Sequence, residues 1–226
     1  MLNLLIRVQL PDRPGALGAV ASRIGSVGAD VVSIDILQRS GGIVVDELGV
    51  VLAGDHLIKL LRDEILEVDG VTVESMRPVE GPLPDRYADL LDVVADLFKH
   101  APSDGLLDQL VLRVRRSLSA AYVAVLRAEG ATVVASEGAL PDDEELMALA
   151  SRAAAPVSDP AGCDHVAGGT DADPAAAQAP VSVAVAMVRA GLVLAVGRTD
   201  PVLRTRELRW VSIIAELADH GWLEPA

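Results

Sequence analysis

A chain of 226 residues with 51% apolar side chains and a formal charge of −14 holds material for two modest cores. Its charge argues against nucleic acid, since phosphate contacts dominate such binding and no basic stripe is present. No apolar run approaches the roughly 18 residues of a membrane span and no signal sequence opens the chain, so a cytoplasmic protein off the membrane is expected.

Taken in chain order, Leu2, Leu4, Ile6, Val8 and Leu10 alternate with Asn3, Leu5, Arg7 and Gln9, the period of a strand with one fully apolar face. Pro11 ends it. From Gly15 onward Leu17, Val20, Ala21, Ile24 and Val27 recur at helical spacing, with Asp12 and Pro14 as start signals and Gly28 as the stop. A strand over 31–37, a turn at Arg39-Ser40-Gly41-Gly42 and a return strand over 43–52 carrying Asp46 and Glu47 follow. A helix over 56–68 and a strand over 71–76 complete a βαββαβ order, which predicts an antiparallel sheet with both helices on one face.

The stretch Leu2 to Leu37, with its strand, Asp-Arg-Pro-Gly turn, helix and second strand, resembles the opening of an ACT domain, a small amino-acid-sensing module. The resemblance implies a ferredoxin-like fold over residues 1–80 that pairs side by side and holds an amino acid at the shared interface. Chemistry agrees with the place. The amides of Gly15, Ala16 and Leu17 open a helix, where partial positive charge favours a carboxylate, and Gly15 allows close approach. In the serine-sensing ACT domain of a phosphoglycerate dehydrogenase the loop reads Asn-Arg-Pro-Gly. Its ligand-contacting Asn falls on Asp12, and a second, after the helix, falls on Asp30. Two amides have become carboxylates, which tilts the site away from serine toward a ligand with a stronger ammonium or an added cation. The amino-acid site expected is therefore Asp12, Arg13, Pro14, Gly15, Ala16, Leu17 and Asp30. Asp12 also suits a helix N-cap, Asp30 a strand start, and Arg13 a solvated turn.

Val-Glu-Gly-Pro-Leu-Pro at 79–84 breaks helix and sheet, dividing the chain into residues 1–80 and 81–226. Helices over 85–100 and 104–118, strands over 122–126 and 132–135, a helix over 142–154, a long loop over 156–180, strands over 181–188 and 192–196 and a helix over 203–219 follow. This order resembles a GAF-like α/β sensory domain, and so implies a small-ligand pocket over the sheet or a ligand-free docking domain. With aromatics at 2% of residues there is no stack for a base or a haem, and no cofactor is expected. The whole is an α+β chain: a ferredoxin-like ACT domain followed by a GAF-like domain.

No catalytic constellation stands out. Cys163, Asp164 and His165 cluster in the long loop without the further ligands that zinc needs or an ordered third partner for nucleophilic catalysis, and the single cysteine fits a reducing compartment. Seventeen arginines against two lysines suggest a high-GC bacterium, and the chain resembles actinobacterial ACT-domain amino-acid-binding proteins. A non-enzymatic regulatory homodimer that binds a small amino acid is expected, with a ligand-free regulatory subunit of an amino-acid metabolic enzyme as the alternative.

Overall fold

A computed structural model describes residues 1–99, 104–153 and 181–221. The loop expected over 156–180, with Cys163, Asp164 and His165, lies outside the described residues. Two compact units are present, one built on Met1–Leu83 with Arg204–Arg206 and the other on the remaining described residues from Pro84 onward.

In the first unit β1 (Leu2–Pro11), α1 (Ala16–Ser26), β2 (Asp30–Ser40), β3 (Ile43–Leu52), α2 (Ile58–Leu66, after a 3-10 turn at Asp55–Leu57) and β4 (Thr72–Val79) follow one another. The sheet order is β2-β3-β1-β4, antiparallel throughout, which is the ferredoxin-like topology. Leu4, Ile6, Val8 and Leu10 of β1 and Val44, Leu48, Val50 and Leu52 of β3 line one face. They form one core with Ala16, Val20 and Ile24 of α1 and Leu61 and Ile65 of α2.

Two features depart from the sequence expectation. β2 runs on through Arg39 and Ser40, because the turn needs only Gly41 and Gly42, whose φ of 61° and 78° suit a two-residue hairpin loop. The second face of β1 is also buried: Arg7 is 0% exposed and directly opposite Glu47, with Arg7 Nη2 2.8 Å from Glu47 Oε2. A cross-strand pair of opposite charge compensates this burial and ties the β1–β3 register to one alignment.

The second unit contains α3 (Arg86–Lys99), α4 (Asp104–Leu118), β5 (Tyr122–Arg127), β6 (Val133–Gly138), α5 (Asp143–Ala153), β7 (Val181–Met187), β8 (Leu192–Arg198) and α6 (Thr205–Gly221). Its antiparallel sheet has the order β6-β5-β8-β7. Both faces are covered, which explains the near-continuous apolar runs of β5 and β8. Val123, Val125, Leu194 and Val196 pack with α4 and α6 through Val111, Val114, Val211 and Ile214. Ala124, Val193 and Ala195 pack with α5 through Leu146, Leu149 and Ala150.

Candidate functional site

The loop between β1 and α1 is set by Pro11, which ends the strand, and by Gly15, which stands at the helix N-cap with φ 85°, a left-handed conformation that costs glycine little. The amide of Asp12 donates to Gly42 O at 2.8 Å, so the loop is pinned to the β2–β3 hairpin. No side chain caps α1. Ala16 N–H donates to Arg13 O at 3.3 Å, whereas the amides of Gly15 and Leu17 have no acceptor among the described residues. Two of the three expected anion donors are therefore open, and the third is used within the turn. Arg13, Pro14 and Gly15 are exposed, Leu17 is half-buried, and the Ala16 side chain turns into the core.

Asp12 does not cap the helix. Its carboxylate accepts from Arg39 Nε at 2.7 Å and from a second guanidinium nitrogen of the same residue. The Arg39 hydrogen bond, with its charge, holds the Asp12 carboxyl below the usual carboxylate range, and Asp12 in turn raises Arg39. Both are solvent-facing, so the pair is screened and readily opened. Arg39 was not among the site residues expected from sequence, because it was read as part of a turn. Its placement depends on β2 running the full length of the hairpin.

Asp30 lies elsewhere. It opens β2 opposite Val51, whereas Asp12 follows Pro11, which is opposite Ile43. Eight residues of β3 separate these levels, about 26 Å. Within one chain the structure thus gathers Asp12, Arg13, Pro14, Gly15, Ala16 and Leu17 and leaves Asp30 at the far end of the sheet.

Between the two ends runs edge strand β2. Val32, Ile34 and Ile36 are 52%, 46% and 47% exposed. Ile34 and Ile36 stand opposite Leu48 and Asp46, hence on the helix-bearing side of the sheet. Asp46 itself is 2% exposed, on the apolar face of β3, and its Oδ1 has no hydrogen-bond partner. Burial pushes its pKa up to about 6. Strand alternation in the sequence already put residue 46 on the row of Val44 and Leu48, and that was the signal available for it.

In the second unit the face toward α5 is filled. Tyr122 is 1% exposed and lies over Gly197, where an added Cβ would come within 2.0 Å of the ring. The Tyr122 hydroxyl donates to Ser182 Oγ at 2.8 Å, and Ser182 Oγ donates to Glu145 Oε1 at 2.9 Å. A crevice lined by Arg86, Asp89, Arg113 and Trp210 is water-sized, and the Arg86 guanidinium stacks 5.3 Å above the Trp210 ring. Among the described residues no group of three or more side chains is placed to hold a metal ion, and no helix is long and apolar enough to cross a membrane.

No family model matches the sequence, and no curated protein matches it. Among solved structures the chain is similar to the ACT domain of a GTP pyrophosphokinase from Chlorobium tepidum, at 18% identity over 34% of this chain and 96% of that one, with a TM-score of 0.28. It is similar to an ACT domain protein from Streptococcus pneumoniae, at 16% identity over 34% of this chain and 89% of that one, with a TM-score of 0.30. It is also similar to a protein from Galdieria sulphuraria, at 15% identity over 58% of this chain and 75% of that one, with a TM-score of 0.32.

Proposed function

We propose that this protein is a non-enzymatic, cytoplasmic regulator that works as an ACT-type homodimer and binds a small amino acid where two ferredoxin-like units meet. What supports this is the arrangement along one edge strand: an open helix N-terminus with Asp12 and Arg39 at one end of the sheet, Asp30 at the other, and the exposed row Val32, Ile34 and Ile36 between them. Packing two β2 edges antiparallel about Ile34 sets Val32 of one copy against Ile36 of the other. The same motion carries Asp30 of the second copy to Gln38, beside Arg39 and Asp12.

In that arrangement the Gly15 and Leu17 amides take the ligand carboxylate, and Asp12 with the second copy's Asp30 takes the ammonium. Binding then favours the paired state because the ligand touches both copies, the differential contact that allostery requires. The second unit is read as GAF-like, relaying or docking without a ligand of its own. The Tyr122 ring over Gly197 supports this by filling the face toward α5. Calorimetric titration of the full chain with the twenty amino acids tests the proposal; heat from none of them at millimolar concentration counts against it.

One observation favours a second reading, a ligand-free regulatory subunit of an amino-acid metabolic enzyme. The Asp12 carboxylate is already paired with Arg39, so the group assigned to the ligand ammonium has a partner without a ligand. Recovery of one enzyme in stoichiometric amount on the purified chain, together with calorimetric silence, distinguishes it.

A further inference from the structure

The carboxyl group of Asp46 has no role in the site just described, yet its position is unusual. It sits on the helix-bearing face of the first sheet, with Val8 of β1 and Ile36 of β2 as its cross-strand neighbours and Val44 and Leu48 two residues away on its own strand. α1 and α2 close that face with Ala16, Val20, Ile24, Leu61 and Ile65. The charged groups on and around this face are engaged elsewhere or lie in solvent: Arg39, opposite Val44, shares the face, Arg62 of α2 is exposed, and Arg206 donates to the Ile36 carbonyl oxygen at 3.1 Å. Arg7, Glu47 and Asp35 occupy the opposite side of the sheet by alternation. Arg39 is engaged by Asp12, Arg23 by Glu64 and Lys59 by Asp63, and Asp30 lies at the strand end. The carboxyl oxygen Oδ1 is buried with no partner, and its cross-strand neighbour Ile36 is 47% exposed.

We infer that edge-to-edge packing of two β2 strands is linked to proton uptake at Asp46. This rests on the pairing proposed above, because it is the second copy that covers Ile36. Covering it removes remaining solvent near a carboxyl whose Oδ1 has no hydrogen-bond partner, so the charged form is penalised further and the paired state is the protonated state. With a pKa of about 6 before pairing, the group is mostly charged above neutrality and mostly protonated below about 6. Falling pH therefore tightens the dimer and then has no further effect. Each dimer holds two such groups. The histidine of the first unit, His56, lies in the turn after β3 rather than on this face.

The test is sedimentation equilibrium of the full chain from pH 5.5 to 8, with Asp46→Asn alongside. The wild type is expected to dissociate about tenfold more readily at pH 8 than at pH 6, while Asp46→Asn dimerises with no slope across that range. A wild-type dimer with no slope, or the same slope in both proteins, overturns the linkage and leaves the pairing intact; a monomer at every pH overturns both. Calorimetric dilution of the wild type in buffers of differing ionisation enthalpy needs no variant. It is expected to show proton release on dissociation at pH 7, and zero release overturns the inference.

Discussion

Arg39 grips both carboxylate oxygens of Asp12 across 27 residues of sequence, joining the hairpin end of β2 to the loop that precedes α1. An exposed pair of this kind adds little to the fold, but it fixes where the carboxylate is held and presents one negative and one positive group beside the open amides of Gly15 and Leu17.

Asp12→Ala is accordingly expected to weaken amino-acid binding by about tenfold or more, the worth of a charge-assisted hydrogen bond, while thermal unfolding at pH 7 stays close to wild type. Calorimetry and a melting curve on the same preparation check both halves. Because Arg39 holds the Asp12 carboxyl below its ordinary 3.8, the pair's contribution persists down to that value and is lost only as pH falls further.

The buried pair Arg7–Glu47 behaves differently. With Glu47 Oε2 2.8 Å from Arg7 and 3.6 Å from Arg77, Glu47→Ala removes the carboxylate that two guanidinium groups share and is expected to cost about 3–5 kcal/mol. Replacing both Arg7 and Glu47 by Leu is expected to cost less, since the fully buried Arg7 charge is then not stranded and only the part-exposed Arg77 loses this carboxylate. Urea unfolding of the single and double variants separates the two cases.

Asp46 sets a pH dependence of the opposite sign. Its folded-state pKa of about 6 lies above the unfolded 3.8, so the folded chain binds the proton more tightly. The stability associated with this group is full below about pH 4, declines as pH rises through about 6, and is flat above. Asp46→Asn is therefore expected to stabilise the chain at pH 7.5 by up to about 3 kcal/mol and to have little effect near pH 4. Denaturation midpoints at the two pH values decide it.

Gly197→Ala drives a methyl group to within 2.0 Å of the Tyr122 ring. The ring is fully enclosed, so the variant is expected to lose about 1–3 kcal/mol and to recover part of it when Tyr122 is changed to Leu. Guanidinium unfolding of the single and double variants measures the recovery.

Much of the first unit was legible because each element announces itself locally: alternation over Leu2 to Leu10, helical spacing from Leu17 to Val27, the glycine pair at 41–42. What escaped were relationships set by pairing. Arg7 reads as a solvent-facing residue until Glu47, forty positions on, arrives opposite it. Arg39 reads as turn until the hairpin closes on two glycines alone. The separation of Asp12 from Asp30 was readable all the same, since an 11-residue helix stands between them and spans about 16 Å. A resemblance to a loop motif names both residues without saying that they sit at opposite ends of one sheet.

The central claim is that an amino acid binds only where two β2 edges meet. Ile34 is 46% exposed at the middle of that edge, so Ile34→Asp leaves the core and the Asp12 loop untouched while placing like charges at the two-fold centre. Titration of this variant with whichever amino acid the wild type binds is expected to show a monomer that has lost binding. A monomeric Ile34→Asp chain that binds the amino acid as tightly as the wild type contradicts the account.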